Sequence, residues 1–254
     1  MSDSDSESSS EGSDSGVPAL HRAALAGDVL ALRRELAAGV DPDQRVELGL
    51  GKIGTAIQIM CRGSHFSSVT TTSASDEVRL QCVEVLLDAG ASPNAINSYA
   101  PLTLAAAGGR TAIVNRLLRA GADPKYSHPV SGWTALHAAV YRGAASCATV
   151  LIKAGADLEP IWENCTPLLQ AVIYKPRMCP VLLRGGARLD IKLIEERCGR
   201  VPSYLEKVIG GGGWKKYEQS HRMRLTTTFA KAFPRLPVDA ISHMVDFAFH
   251  VGFY

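Results

Sequence analysis

No stretch of this chain approaches eighteen apolar residues, so no membrane-spanning helix is expected. Aromatic residues are scarce, at 6% of 254, which makes any place where they gather informative. The six cysteines form no CxxC pair, and free thiols in a reducing compartment, the cytoplasm or the nucleus, follow from that. The opening Met-Ser-Asp-Ser-Asp reverses the basic-then-apolar order of a secretory signal, so none is expected. Neither sign of charge dominates, with 27 Lys and Arg facing 25 Asp and Glu. A wholly disordered acidic chain and a nucleic-acid binder coated in positive charge are both disfavoured.

Bases are absent from residues 1–16, which hold eight serines, five acids and two glycines. Such a segment cannot bury enough surface to offset its ordering entropy, and disorder is expected there. Ser2, Ser4 and Ser8 each precede an acid by three residues, a pattern resembling sites for acidophilic kinases. A solubilising tail is the equal alternative.

What the chain does have is repetition. ALHRAALAGD from Ala19, APLTLAAAGGR from Ala100 and TALHAAVYRG from Thr134 share one pattern, as do GTAIQIMCRG at Gly54 and TPLLQAVIY at Thr166. Each is followed by a run such as VLIKAGADLE. Leu20, Ile57, Leu102, Leu136 and Leu168 anchor five units. This pattern resembles the ankyrin-repeat family, whose unit is a turn and two antiparallel helices, and the resemblance covers residues 17–190. It implies an all-α solenoid with a helical extension. The residues agree with it. Thr134 stands where a helix cap belongs, paired alanines let the first helix pack closely, and Gly155 and its equivalents stop the second. One such unit cannot cover its own apolar face, whereas five stacked units make a continuous core.

Departures from the repeat are informative too. The first connection is lengthened between Gln44 and Gly54, and its Gly-Leu-Gly-Lys lacks the spacing and context of a phosphate loop. Residues 64–77 split the second unit with an insertion in which eight of fourteen residues are Ser or Thr. It reads as an outward loop, or alternatively as one that is modified or touches a partner. In the fifth unit, Pro176 and Pro180 predict a short or irregular second helix. Residues 191–213 form a connecting segment of one or two short helices that ends in a glycine hinge, Gly210 to Gly213. Residues 214–254 form a helical region, with helices expected from about Lys216 to Phe233 and from Val238 to His250.

No group of residues converges as an active site would, so no enzyme, cofactor, metal or small-molecule substrate is expected. His21 and His137 follow the anchor leucine, where the resemblance implies a structural histidine bonded to neighbouring turns. His221, His243 and His250 lack metal-ligand spacing. Cys82 and Cys147 share the position of Ile113, with Cys179 close to it, and read as buried hydrophobes. Lys215 and Lys216 beside Trp214 and Tyr217 hint at nucleic acid, but a solvated helix face explains them equally.

Binding leaves better traces. In the family, partners contact the turn tips and the first helices, which form the concave face. Mapped there are Tyr99, Trp133, Tyr141, Arg142, Trp162 and Tyr174, with Lys125 and Val130 beside them. Aromatics and arginine are the usual hot-spot residues, so a protein-binding surface is expected on units three to five. The C-terminal layout weakly resembles a SOCS box, which in its family recruits elongin and cullin for ubiquitin transfer. Leu225, Phe229, Leu236 and Pro237 stand at the corresponding positions, with Phe229 where the family has cysteine. The same segment looks equally like the start of an F-box, and a helical cap on the stack is the plain alternative.

Overall fold

A computed structural model describes residues 17–47, 53–62, 74–95 and 99–251. The acidic tail 1–16, the centre of the lengthened first connection and residues 64–73 of the insertion lie outside the described residues. Five helix pairs follow one another. They are α1 (Ala19–Ala26) with α2 (Val29–Ala37), α3 (Ala56–Cys61) with α4 (Asp76–Asp88), and α5 (Pro101–Ala107) with α6 (Thr111–Arg119). Then come α7 (Ala135–Arg142) with α8 (Ala145–Lys153), and α9 (Pro167–Tyr174) with α10 (Cys179–Gly185). Among the described residues the one sheet is a two-stranded hairpin, β1 (Val46–Glu47) against β2 (Ile53–Gly54). The fold is an all-α solenoid.

Local chemistry sets the helix ends. Thr134 and Thr166 accept hydrogen bonds from the backbone N–H three residues on, at 3.3 and 3.2 Å, which satisfies donors that the helix leaves over. Asp28 does the same for α2. In unit two, Thr55 and Gln58 form a capping box, with the Thr55 N–H donating to Gln58 Oε1 at 3.0 Å. Gly143 ends α7 at φ 77°, a left-handed conformation in which a side chain would be strained.

The anchor residues Leu20, Ile57, Leu102, Leu136 and Leu168 are all buried, and the second helices add Leu32, Leu86, Leu117, Leu151 and Leu182 to one continuous core. Each such side chain removed from water contributes roughly 1.5–3 kcal/mol. Cys82, Ile113, Cys147 and Cys179 occupy this layer as buried, unbridged groups. The turn tips are stitched from unit to unit. The Ser92 N–H donates to the Asp43 carboxylate, the Asp123 N–H to Asn94 Oδ1, and the Arg188 N–H to Glu159 Oε1 at 2.7 Å.

The fifth unit is irregular, as its prolines predict. Pro176–Met178 form a single 3-10 turn, and Pro180 sits in the first turn of α10, where no hydrogen bond is lost. Beyond it, α11 (Ile191–Cys198) and α12 (Ser203–Gly210) extend the stack, adding Ile194, Leu205 and Val208 to the same core. The glycines after α12 make a closed turn, with the Gly211, Gly212 and Gly213 N–H groups bonded to the carbonyls of Lys207, Ile209 and Val208. Helix α13 (Trp214–Ala232) begins two residues before the expected Lys216, because the Trp214 side chain is buried in the core. Its base is tied to α10 by the Arg184–Glu218 ion pair at 2.8 Å. The last helix, α14 (Val238–Val251), folds back on α13, where Asp246 meets Arg222 at 2.7 Å.

Candidate functional site

The residues mapped to the concave face divide into three groups. Trp133, at the end of the turn before α7, is half-buried. Its indole stacks on His137 at 5.5 Å between centroids, meets Trp162 edge to face at 4.4 Å and Tyr141 at 6.3 Å. His137 and Tyr141 stand four residues apart on one stripe of α7, and Trp133 packs against both from the turn before it. Tyr141, at the outer end of that stripe, is 64% exposed. Tyr99 lies apart from this cluster. It is half-buried against His128 at 5.2 Å, and its carbonyl accepts from Gln58 Nε2. Arg142 and Tyr174 are exposed at the far ends of α7 and α9, while Trp162 is half-buried against Trp133.

Two tight backbone features hold the ring cluster. Trp162 and Cys165 pair backbone to backbone at 3.0 and 2.8 Å around Glu163 and Asn164, both at positive φ, 50° and 59°. Two non-glycine residues in this conformation are strained by roughly 1 kcal/mol each, and the turn they make aims the Trp162 ring at Trp133. Gly132 (φ 73°) supplies the other side. A Cβ there would collide with the Ile161 carbonyl oxygen, so only glycine lets the turns of units four and five approach this closely.

His137 is fully buried beneath the rings. Nδ1 lies 3.0 Å from Thr134 Oγ1, and Nε2 lies 3.2 Å from the Cys165 carbonyl, so Nε2 carries the proton and donates to the next turn. Burial lowers its pKa to about 4, against a smaller opposing effect of the Cys165 carbonyl. The ring is therefore neutral at physiological pH and serves as a strut between turns. Gln58 takes this role in unit two, reaching the Ala95 and Tyr99 carbonyls at 2.9 and 3.0 Å. Burial also lowers His21, against the opposing carbonyls of Gly54 and Gln44.

Ile161, Ile173 and Tyr174 are exposed as Tyr141 is, and Val130 is 90% exposed at the turn tip before α7. Sequence reading missed Ile161 and Ile173. Ile173 carries a readable signal, since it follows Leu168 by five residues as Tyr141 follows Leu136, whereas Ile161 sits in a turn with no repeat pattern to flag it. Ile173 also lines an open cleft of about 690 Å³ between α9 and the α11–α12 pair, with Val172, Arg197, Arg200, Val201 and Glu206 among the other lining residues. Among the described residues no three His, Cys, Asp or Glu side chains gather as metal ligands would. No described helix is long and apolar enough to cross a membrane.

On the C-terminal hairpin, Leu225 and Phe229 are half-buried, while Leu236 and Pro237 are exposed in the turn between α13 and α14. Phe233 and Val238 are exposed on either side of them.

A family model that spans three ankyrin repeats matches this chain over residues 72–161 and again over 102–192. A stretch of 68 residues is 46% identical to glycerophosphocholine phosphodiesterase gde1 of Schizosaccharomyces pombe. That stretch is 26% of this chain, and the chain spans only 6% of the length of that relative. Five helix pairs in register and this match show that the chain carries ankyrin repeats.

Proposed function

We propose that this protein is a non-enzymatic binding module that holds a protein partner on the concave face of units four and five. One observation carries the reading. Tyr141, Ile161, Ile173 and Tyr174 are large apolar groups left exposed on units four and five, where Tyr141 meets Trp133 and Trp133 meets Trp162. Exposed rings and aliphatic groups on a rigid base are what hot spots are made of. The unbridged cysteines support a reducing compartment, the cytoplasm or nucleus. The gde1 likeness covers too little of that protein to support phosphodiesterase activity here.

The test is affinity purification from the native cell with the wild type and with Tyr141→Ala/Tyr174→Ala, both checked for folding. Partners kept by the wild type and lost by the variant support the reading. Identical partner sets sink it.

A second reading rests on the exposed apolar edge of Phe233, Leu236 and Val238 on the α13–α14 hairpin. It makes the chain an adaptor that brings elongin- and cullin-type partners to whatever the repeats hold. Size-exclusion chromatography with purified elongin tests it. A complex that Phe233→Asp/Leu236→Asp abolishes supports the adaptor, and the absence of any complex removes it.

A further inference from the structure

We infer that the partner meets this face with an extended acidic segment, laid across the loops that join the helices of units four and five and entering the cleft beside α11 and α12. The inference rests on the concave-face reading and adds the chemistry of the partner.

The C-terminal ends of α7, α9 and α11 and the loops after them hold Arg142, Lys175, Arg177, Arg197 and Arg200, against the acids Glu195 and Glu196 at the end of α11. All five cations are exposed. The equivalent loops of units one and three are different. There Asp28 caps α2, and Arg110 is held by Asp76 at 2.6 Å with its side chain only 10% exposed. Positive charge thus accumulates toward one end of the solenoid, next to the exposed Tyr141, Ile173 and Tyr174 at the ends of α7 and α9. Neighbouring layers also share it. A Cβ added at Gly143 would lie 3.7 Å from Lys175 Cδ, so the lysine stem of unit five lies over the loop of unit four. Arg197 leans toward the Glu163 and Asn164 carbonyls at 3.5 and 3.4 Å, which sets it beside the strained turn. Within the cleft, Arg197 and Arg200 face one lining acid, Glu206, between the apolar walls of Val172, Ile173 and Val201.

Geometry selects the shape of the ligand. Packed helices stand roughly 8–10 Å apart, and an extended chain advances about 3.3 Å per residue. A carboxylate on every third residue of an extended segment therefore meets one loop after another. A nucleic acid fits less well. The Trp133 and Trp162 rings are locked edge to face with each other and do not offer open faces for bases. The exposed Ile161 and Ile173 suit apolar side chains between the carboxylates.

The test selects a displayed library of random dodecapeptides on the full chain. The selected peptides are then titrated by fluorescence polarisation against three proteins: the wild type, Arg142→Glu/Lys175→Glu/Arg177→Glu and Tyr141→Ala/Tyr174→Ala. Circular dichroism confirms folding, and the milder triple change to Gln replaces the Glu variant if that one melts. The expected peptides carry Asp or Glu three apart beside an apolar residue. They bind the charge-changed variant about tenfold or more weakly, and the wild type more weakly as salt rises. Peptides without acids, or acidic peptides that ignore the charge change, overturn the inference, as does a library that yields no binder. If such peptides still lose affinity for Tyr141→Ala/Tyr174→Ala, the concave face stands and only its charge chemistry fails. An oligothymidylate that outcompetes the peptides overturns the inference in favour of a phosphate backbone.

Discussion

The Trp133 and Trp162 rings meet edge to face at 4.4 Å, with 79° between their planes, and this contact joins the turn of unit four to that of unit five. Such pairs are worth roughly 0.5–1.5 kcal/mol beyond the area they bury. Trp133 therefore stabilises the stack and shapes the proposed binding face together. Its truncation is expected to cost about 2 kcal/mol or more, approaching the roughly 2–5 kcal/mol of Leu136→Ala. Tyr141→Ala, with the ring 64% exposed, is expected to cost less than about 1 kcal/mol of stability yet about 2 kcal/mol of binding. Thermal melts beside partner titrations separate the two roles. A Tyr141 variant as unstable as the Leu136 variant would contradict the division.

The anchor register is legible in the sequence because every unit repeats the same burial. Leu20, Ile57, Leu102, Leu136 and Leu168 occupy one position and meet one environment. The caps are legible for a related reason, since Thr134 and Thr166 act within three residues of themselves. The half-burial of Trp133 is not. It depends on a ring from the next unit, delivered by a turn at Glu163 and Asn164 that has no glycine to announce it. The start of α13 at Trp214 is hidden in the same way, because the glycines before it read as a break while the indole's burial depends on distant core residues. Local patterns are readable, but contacts between layers need the layers.

Gly132 and Gly155 both have positive φ, 73° and 87°, but a Cβ at Gly132 would collide with the Ile161 carbonyl oxygen while one at Gly155 meets nothing within 4 Å. Gly155→Ala is expected to cost only the left-handed strain, roughly 1–2 kcal/mol. Gly132→Ala adds displacement of the neighbouring turn and is expected to cost clearly more. Urea unfolding of both variants checks the order. Equal losses would mean that the turns of units four and five are not held at this separation.

Thiol labelling reads the core directly. Burial pushes the Cys61 thiol up to about 12 and those of Cys82 and Cys179 to about 11, and it raises Cys147 and Cys165 as well. Cys198 alone of the six is not fully buried. Reaction with an aromatic disulfide reagent at neutral pH is expected to label Cys198 first, and the other five only on unfolding. Rapid labelling of Cys82 or Cys147, located by mass spectrometry, would show that the second-helix layer is open.

Acid should weaken the stack through His137. Its folded pKa, about 4, lies below the unfolded value of about 6.5, so the unfolded chain takes up the proton more readily. The contribution of the neutral ring is therefore complete above the unfolded value. It falls as pH drops from there toward 4, and below that it has been lost, by on the order of 3 kcal/mol in all. His21 is shifted in the same direction by burial and adds to the slope. His137→Gln isolates the strut, because Gln58 already shows that an amide at this position reaches the carbonyls of the next turn. That variant is expected to keep its stability at neutral pH within about 1 kcal/mol, since the amide replaces one neutral hydrogen bond by another. It should also lose much of the slope between neutral pH and pH 4. Urea midpoints measured across this range for both proteins give the comparison. Parallel curves for the wild type and His137→Gln would show that the imidazole is protonated within the fold, and that it does not stand as a neutral donor between Thr134 and the Cys165 carbonyl.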